Sequence, residues 1–155
     1  MNGERDYMDK LDIVTDESGN RVVLLPEIIF SNKQNINWDD VEDYLGKYVG
    51  ELIEIAETRD IIYIGNKFPD EYGGSSYTRK TKGARAKAKA NAAQGIREMV
   101  EIATDKVYRE NHKEKHSEDA HNGWFYYVTR FAIPLYNNEK KTGEYNVYSA
   151  CKPRS

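Results

Sequence analysis

His112, His116 and His121 are the three histidines of the chain, and all lie in one polar stretch, 111–123. Upstream runs a basic segment, Arg79, Lys80, Lys82, Arg85, Lys87, Lys89 and Arg97, with no Asp or Glu before Glu98. Histidine titrates near neutral pH, so a pair of them can act as base and acid in one reaction. Lysine and arginine hold phosphate and stabilise charge that builds on it. Metal-independent RNA cleavage needs that set: a base for the 2′-hydroxyl proton, an acid for the leaving oxygen, and cations around the phosphorane. His116 as base or acid, His121 as its partner, and Arg130 and Lys115 on the phosphate meet the description. Arg79, Lys80, Lys82, Arg85 and Lys89 would hold a nucleic-acid backbone. The plainer alternative is a solvated polar loop beside a solvated basic face.

Other chemistries find less support. Cys151 is the only cysteine, so neither an internal disulfide nor a thiolate cluster can form. Histidines four and five residues apart, with no cysteine partner, make weak metal ligands. The chain contains no phosphate loop, Gly-x-Ser-x-Gly, His-Glu-x-x-His or dinucleotide fingerprint, so neither metal nor cofactor is expected. Tyr126 and Tyr127, with Tyr72 and Tyr77, could stack unpaired bases, or pack as half-buried strand and loop residues.

The elements that must position these residues belong to one domain. The chain has 155 residues, 39% hydrophobic and 32% charged, with no apolar run near the roughly 20 residues of a membrane span. Met1 to Asp12 lacks the apolar centre of a secretory signal, which points to the cytosol. Charge is divided: residues 1–71 hold 7 Lys and Arg against 17 Asp and Glu, and residues 72–155 hold 16 against 9. The basic half suits RNA or another polyanion, although the halves could also neutralise each other.

Residues 1–20 read as a flexible leader, 21–150 as the domain and 151–155 as a tail. Arg21 to Phe30 is strand-like and interrupted at Pro26. Asn37 caps a helix whose Trp38, Val41, Leu45 and Tyr48 share one face. Strands follow at about 51–57 and at Ile61–Ile64, then a loop at 66–78. Thr81 to Gln94 reads as a basic, alanine-rich helix with Lys82, Arg85 and Lys89 on one stripe and Ala84, Ala88 and Ala92 opposite, stopped by Gly95. Ile96, Met99, Val100, Ala103 and Val107 predict a second helix, with Arg97–Glu101 and Asp105–Arg109 as surface pairs. Trp124 to Ile133 is the strongest strand signal, followed by a hairpin loop at 137–143 and a return strand to Ala150. The fold expected is α+β: helices packed on an antiparallel sheet with a C-terminal β-hairpin.

Seven short motifs in order carry a resemblance: Asp60-Ile-Ile-Tyr-Ile-Gly65, Phe68-Pro-Asp-Glu-Tyr72, Ser76-Tyr-Thr78, Ala86-Lys-Ala-Lys-Ala-Asn-Ala-Ala93, Lys115-His-Ser117, Gly123-Trp124 and Tyr145-Asn-Val147. They resemble a large polyvalent protein-associated domain of the barnase-EndoU-colicin-RelE-like nuclease class, carried on bacterial mobile elements and phages. The resemblance covers most of 21–150. It implies an α+β fold and a metal-independent, ribonuclease-like role in the host cytoplasm. His116 and Ser117, from Lys-His-Ser, and Tyr77 and Thr78, from Ser-Tyr-Thr, are the candidate residues it carries over. Where that family continues past Tyr-Asn-Val into further strands, this chain runs from Tyr148 to Ser155 and looks truncated, which would leave a sheet edge open. A competing expectation is a non-catalytic counter-defence protein, an anti-CRISPR-type inhibitor binding a host nuclease or nucleoprotein. Asp39, Asp40, Glu42, Asp43, Glu51, Glu54 and Glu57 would then imitate phosphates. Oligomeric state stays open.

Overall fold

The computed structural model describes residues 10–31, 36–80, 82–109 and 124–154. The chain opens with β1 (Ile13–Thr15) and β2 (Arg21–Leu24), antiparallel neighbours, so part of the expected leader is a sheet strand. Between them Asp16 Oδ1 accepts from the Ser18 and Asn20 amides and closes the turn. β2 ends before Pro26, whose missing donor cannot continue a ladder.

Helix α1 (Trp38–Leu45) begins as its sequence predicts: the Asn37 side chain accepts from the amides of Asp39 and Asp40. Its apolar face buries Trp38, Val41 and Leu45. Tyr48, one turn on, donates from its hydroxyl to the Ala93 carbonyl at 2.7 Å. β3 (Leu52–Glu54) and β4 (Ile61–Tyr63) then form a separate antiparallel hairpin, with β3 shorter than expected.

The expected loop at 66–78 holds two short helices instead, α2 (Phe68–Gly73) and α3 (Ser76–Lys80). Pro69 sits in the first turn of α2, where a proline amide is not needed, and Phe68 and Tyr72, one turn apart, both bury. Helix α4 (Ala84–Asn91) starts three residues later than predicted, because Gly83 takes φ +76°, outside helical space. Lys82 therefore lies before the helix, and no three-cation stripe exists on it. The alanines bury on two sides rather than one. Ala88 and Ala92 face the sheet, Ala86, Ala90 and Ala93 face α1, and Ala84 is exposed.

A 3-10 turn (Ala92–Gly95) leads directly into α5 (Ile96–Glu101), so Gly95 tightens the helical run instead of ending it. A β-carbon on Gly95 would lie 3.1 Å from Leu25 Cδ2 and 3.3 Å from Val23 Cγ1, and the absent side chain lets the turn approach β2. The second helix predicted to reach Val107 stops at Glu101. Thr104–Arg109 is strand β5, with a register shift between Thr104 and Val107 where Asp105 takes φ 58°. Neither predicted surface pair on that helix forms: Asp105 and Arg109 lie on β5, and Arg97 grips Glu51 with two hydrogen bonds, 3.0 and 2.9 Å.

Strand β6 (Trp124–Asn137) is the sheet's centre. One edge pairs antiparallel with β5 through Arg109↔Trp124 and parallel with β2 through Val23↔Phe131, while the other pairs antiparallel with β7 (Lys140–Arg154) along its length. The sheet is thus mixed, with one parallel junction. β6 passes through Pro134 with a register shift before Tyr136, and Asn138 and Glu139, at φ 50° and 69°, make a hairpin turn shorter than the predicted loop. Cys151 to Arg154, expected as tail, pair with Val128 to Phe125. The helices cover one face of this sheet. Tyr127, Thr129, Phe131 and Ile133 point to them, and Thr129 Oγ1 donates to the Met99 carbonyl at 2.6 Å. Among the described residues no helix is long and apolar enough to cross a membrane.

Candidate functional site

Two of the expected site residues meet. Lys89, on α4, donates from Nζ to Thr78 Oγ1 on α3 at 2.8 Å, with Nζ 5.2 Å from the centre of the Tyr72 ring. Thr78 is buried, and burial pushes the Lys89 ammonium below its ordinary pKa. Arg79, one residue on, is engaged elsewhere: its Nη2 bonds Glu42 at 2.5 Å and Asp39 at 3.1 Å, which raises its pKa and removes it as an open phosphate ligand. Lys80, Lys82 and Arg85 are exposed. The side chain of Tyr77, and all of Lys115, His116, Ser117 and His121, lie outside the described residues.

Arg130 stands apart from this group. It lies on β6 with Tyr126, Val128, Ala132 and Pro134, on the face opposite the residues that meet the helices. Register places Val107 and Arg109 of β5 and Tyr145, Val147 and Ser149 of β7 on that same face. None of these positions is acidic. The Arg109 guanidinium lies 5.5 Å from the centre of the Tyr126 ring, within cation–π range. Neither arginine has a carboxylate partner among the described residues, whereas Arg59, Arg97 and Lys106 each pair with one and Arg79 with two. The stretch 110–123, with all three histidines, leaves β5 at Arg109 and enters β6 at Trp124, and those two residues are paired. The Lys89–Thr78 pair and Arg130 therefore occupy opposite sides of the sheet and do not form one cleft.

No family model, curated protein or solved structure matches this chain. Sequence reasoning did not single out Arg109 for the site, because it was placed on a helix with Asp105. The available signal was alternation: Val107 and Arg109, then Tyr126, Val128 and Arg130, two apart.

The acidic residues offered as phosphate mimics are largely engaged within the chain. Asp39 and Glu42 hold Arg79, Glu51 holds Arg97, Glu54 holds Arg59, and Glu57 Oε2 accepts from the Asp105 amide. Asp60, not counted among them, accepts three hydrogen bonds on Oδ2, from Lys106 Nζ, Tyr127 Oη and Thr58 Oγ1, each at 2.8 Å. Those bonds lower its pKa to about 2. An apolar hollow between Ile55, Phe68, Met99 and Val100 has no charged lining; of the residues singled out in the sequence it includes only Tyr127, which packs there beneath the helices instead of offering its ring to a base. Among the described residues, no group of three or more His, Cys, Asp or Glu is arranged to hold a metal.

Proposed function

We propose that this protein is a ribonuclease-like, nucleic-acid-interacting protein of the mobile-element class it resembles, acting on single-stranded RNA in the cytoplasm of a bacterial host. One observation carries the reading: a sheet face on which no described β5, β6 or β7 position named above is acidic presents Arg109 within cation–π range of Tyr126, together with Arg130, and the histidine segment joins β5 to β6 at the paired Arg109 and Trp124. An open antiparallel face with aromatic and arginine side chains suits unpaired bases, because every base offers a ring for stacking and every linkage a phosphate for the guanidinium. A duplex hides those ring faces, so single strands are the preferred substrate.

In the reaction, His116 takes the proton of a ribose 2′-hydroxyl as that oxygen attacks the adjacent phosphorus. His121 gives a proton to the departing 5′-oxygen. The phosphorus–5′-oxygen bond breaks, leaving a 2′,3′-cyclic phosphate and a new 5′-hydroxyl. Arg130 and Lys115 stabilise the charge on the phosphorane oxygens.

The binding half of the proposal is tested by affinity for labelled single-stranded RNA, duplex RNA and single-stranded DNA. Tyr126→Ala and Arg130→Ala should each weaken single-stranded RNA binding by about tenfold, the scale of one lost base stack or one lost phosphate contact. Unchanged affinity in both variants would remove the sheet face from the proposal.

A further inference from the structure

The Lys89 pair on the helix side of the sheet raises a different question, since nothing on the Arg130 face uses it. Lys89 is half-buried, and no carboxylate among the described residues accompanies it. Its position is fixed from two directions. Tyr72 donates from its hydroxyl to the Lys89 carbonyl at 2.5 Å, which holds the ring beneath the ammonium, and Thr78 Oγ1 takes one ammonium proton. Ser75 Oγ lies 2.9 Å from Thr78 Oγ1 and accepts the Thr78 amide at 3.0 Å.

Counting protons shows what is left over. An ammonium has three donors, and Lys89 uses one of them here. Ser75 and Thr78 have a hydroxyl proton each and share one hydrogen bond, so one hydroxyl proton remains. The unfilled donors are thus on the Lys89 ammonium and on one hydroxyl of the Ser75–Thr78 pair, side chains already joined through Thr78 Oγ1. A desolvated cation is costly without a counter-ion, and an anion with several acceptor oxygens would satisfy the cation and the hydroxyl together. Lys80, two residues after Thr78 on α3, and Arg85, one turn before Lys89 on α4, are exposed and add positive charge to the same two helices. Arg79, held by Asp39 and Glu42, does not compete for the ligand.

We propose that Lys89, Thr78 and Ser75 form a binding site for a phosphate group, separate from the sheet face and independent of the reading given for it. The group could belong to a small phosphate monoester or to a nucleic-acid backbone, and the two sources can be told apart.

The test uses the whole wild-type chain first. Acetylation of each lysine by acetic anhydride, read by mass spectrometry, is compared in inorganic phosphate and in chloride of equal ionic strength. Lys89 should be protected several-fold by phosphate while Lys141, on the β6–β7 hairpin, is not. Equal modification of Lys89 in both salts, or equal protection of all lysines, would overturn the site. By calorimetry, Lys89→Met, which keeps an apolar stem against Tyr72, and Thr78→Val should each lose tenfold or more in phosphate affinity, as removal of a charged hydrogen bond predicts. Lys141→Met, with the same charge change, should bind as wild type. If Lys89→Met does not fold, the wild-type footprint still decides. Ribose 5-phosphate binding more tightly than a 5′-hydroxyl oligoribonucleotide assigns the site to free monoesters, and the reverse order assigns it to a backbone. Arg130→Ala and His116→Ala should leave phosphate affinity at this site unchanged, so the two proposals can fail separately.

Discussion

Asn91 does more structural work than any charged residue of the basic segment. It is fully buried, and its side chain makes five hydrogen bonds: Oδ1 accepts from the amides of Ile29 and Phe30, at 2.8 and 3.0 Å, and from Gln94 Nε2 at 3.4 Å, and Nδ2 donates to the carbonyls of Phe30 and Lys87, at 2.8 and 2.9 Å. Gln94 adds a bond from Nε2 to the Glu27 carbonyl at 2.8 Å. The irregular stretch after Pro26, which has no ladder to satisfy its backbone, is thereby fastened to α4. Asn91→Ala leaves two amides and a carbonyl of that stretch without partners in a poorly hydrated place. Urea unfolding should show a loss of about 2–4 kcal/mol, since each orphaned group costs roughly 1–3 kcal/mol and water will reach some of them. A loss below about 1 kcal/mol would mean that water replaces the side chain fully. Sequence reading saw an alanine-rich basic helix here and passed over its two buried amides, because nothing in a helical wheel reveals which backbone groups elsewhere lack partners.

Among the elements, the β3–β4 hairpin is tied to the sheet by side chains of its turn, Glu57 to the Asp105 amide and Asp60 to Lys106 and Tyr127. Among the described residues it pairs with no other strand, and Asp60, just before β4, links it to β5 through Lys106 and to β6 through Tyr127. The carboxylate pKa falls from 3.8 to about 2, the Lys106 bond being the largest cause and the hydroxyls of Tyr127 and Thr58 the next. A folded-state pKa below the unfolded one means stability that is present above about pH 4 and is lost as pH falls through the range down to about 2. Urea midpoints measured at intervals from pH 7 to pH 2 should therefore fall steeply in that window. Asp60→Asn should be less stable at pH 7 and show a shallower fall below pH 4. An unchanged acid slope in that variant would assign the acid sensitivity to other carboxylates. Elements were legible where local signals agreed. Asn37, the acidic first turn and the spacing of Trp38, Val41 and Leu45 all specify α1, and the aromatic run from Trp124 specifies β6. They were misread where a tertiary partner decides. Val100, Ala103 and Val107 keep helical spacing, yet the last lies on β5 because the edge of β6 is there to receive it. The 66–78 stretch looks like a loop by composition, and only burial of Phe68 and Tyr72 against α1 makes it helical.

For the whole molecule, the division of charge in the sequence is in good part an internal matter. Acidic residues from the first half meet basic residues of the second at Asp39 and Glu42 with Arg79, Glu51 with Arg97, and Asp60 with Lys106. Among the basic residues that no carboxylate pairs with in the described part of the chain are Lys89 on the helix side, and Arg109 and Arg130 on the sheet face. The candidate site was legible in part. Thr78 and Lys89 do meet, whereas Arg130 proves to lie across the sheet from them, a separation that residue types and spacing do not encode. The central claim, that the sheet face presents single-stranded RNA to His116, is tested most directly by incubating purified protein with end-labelled single-stranded RNA in the presence of chelator. The account predicts cleavage that leaves 2′,3′-cyclic ends and falls by about two orders of magnitude or more in His116→Ala, the scale of lost acid–base catalysis. RNA left intact by the wild type, or cut equally well by His116→Ala, would contradict it.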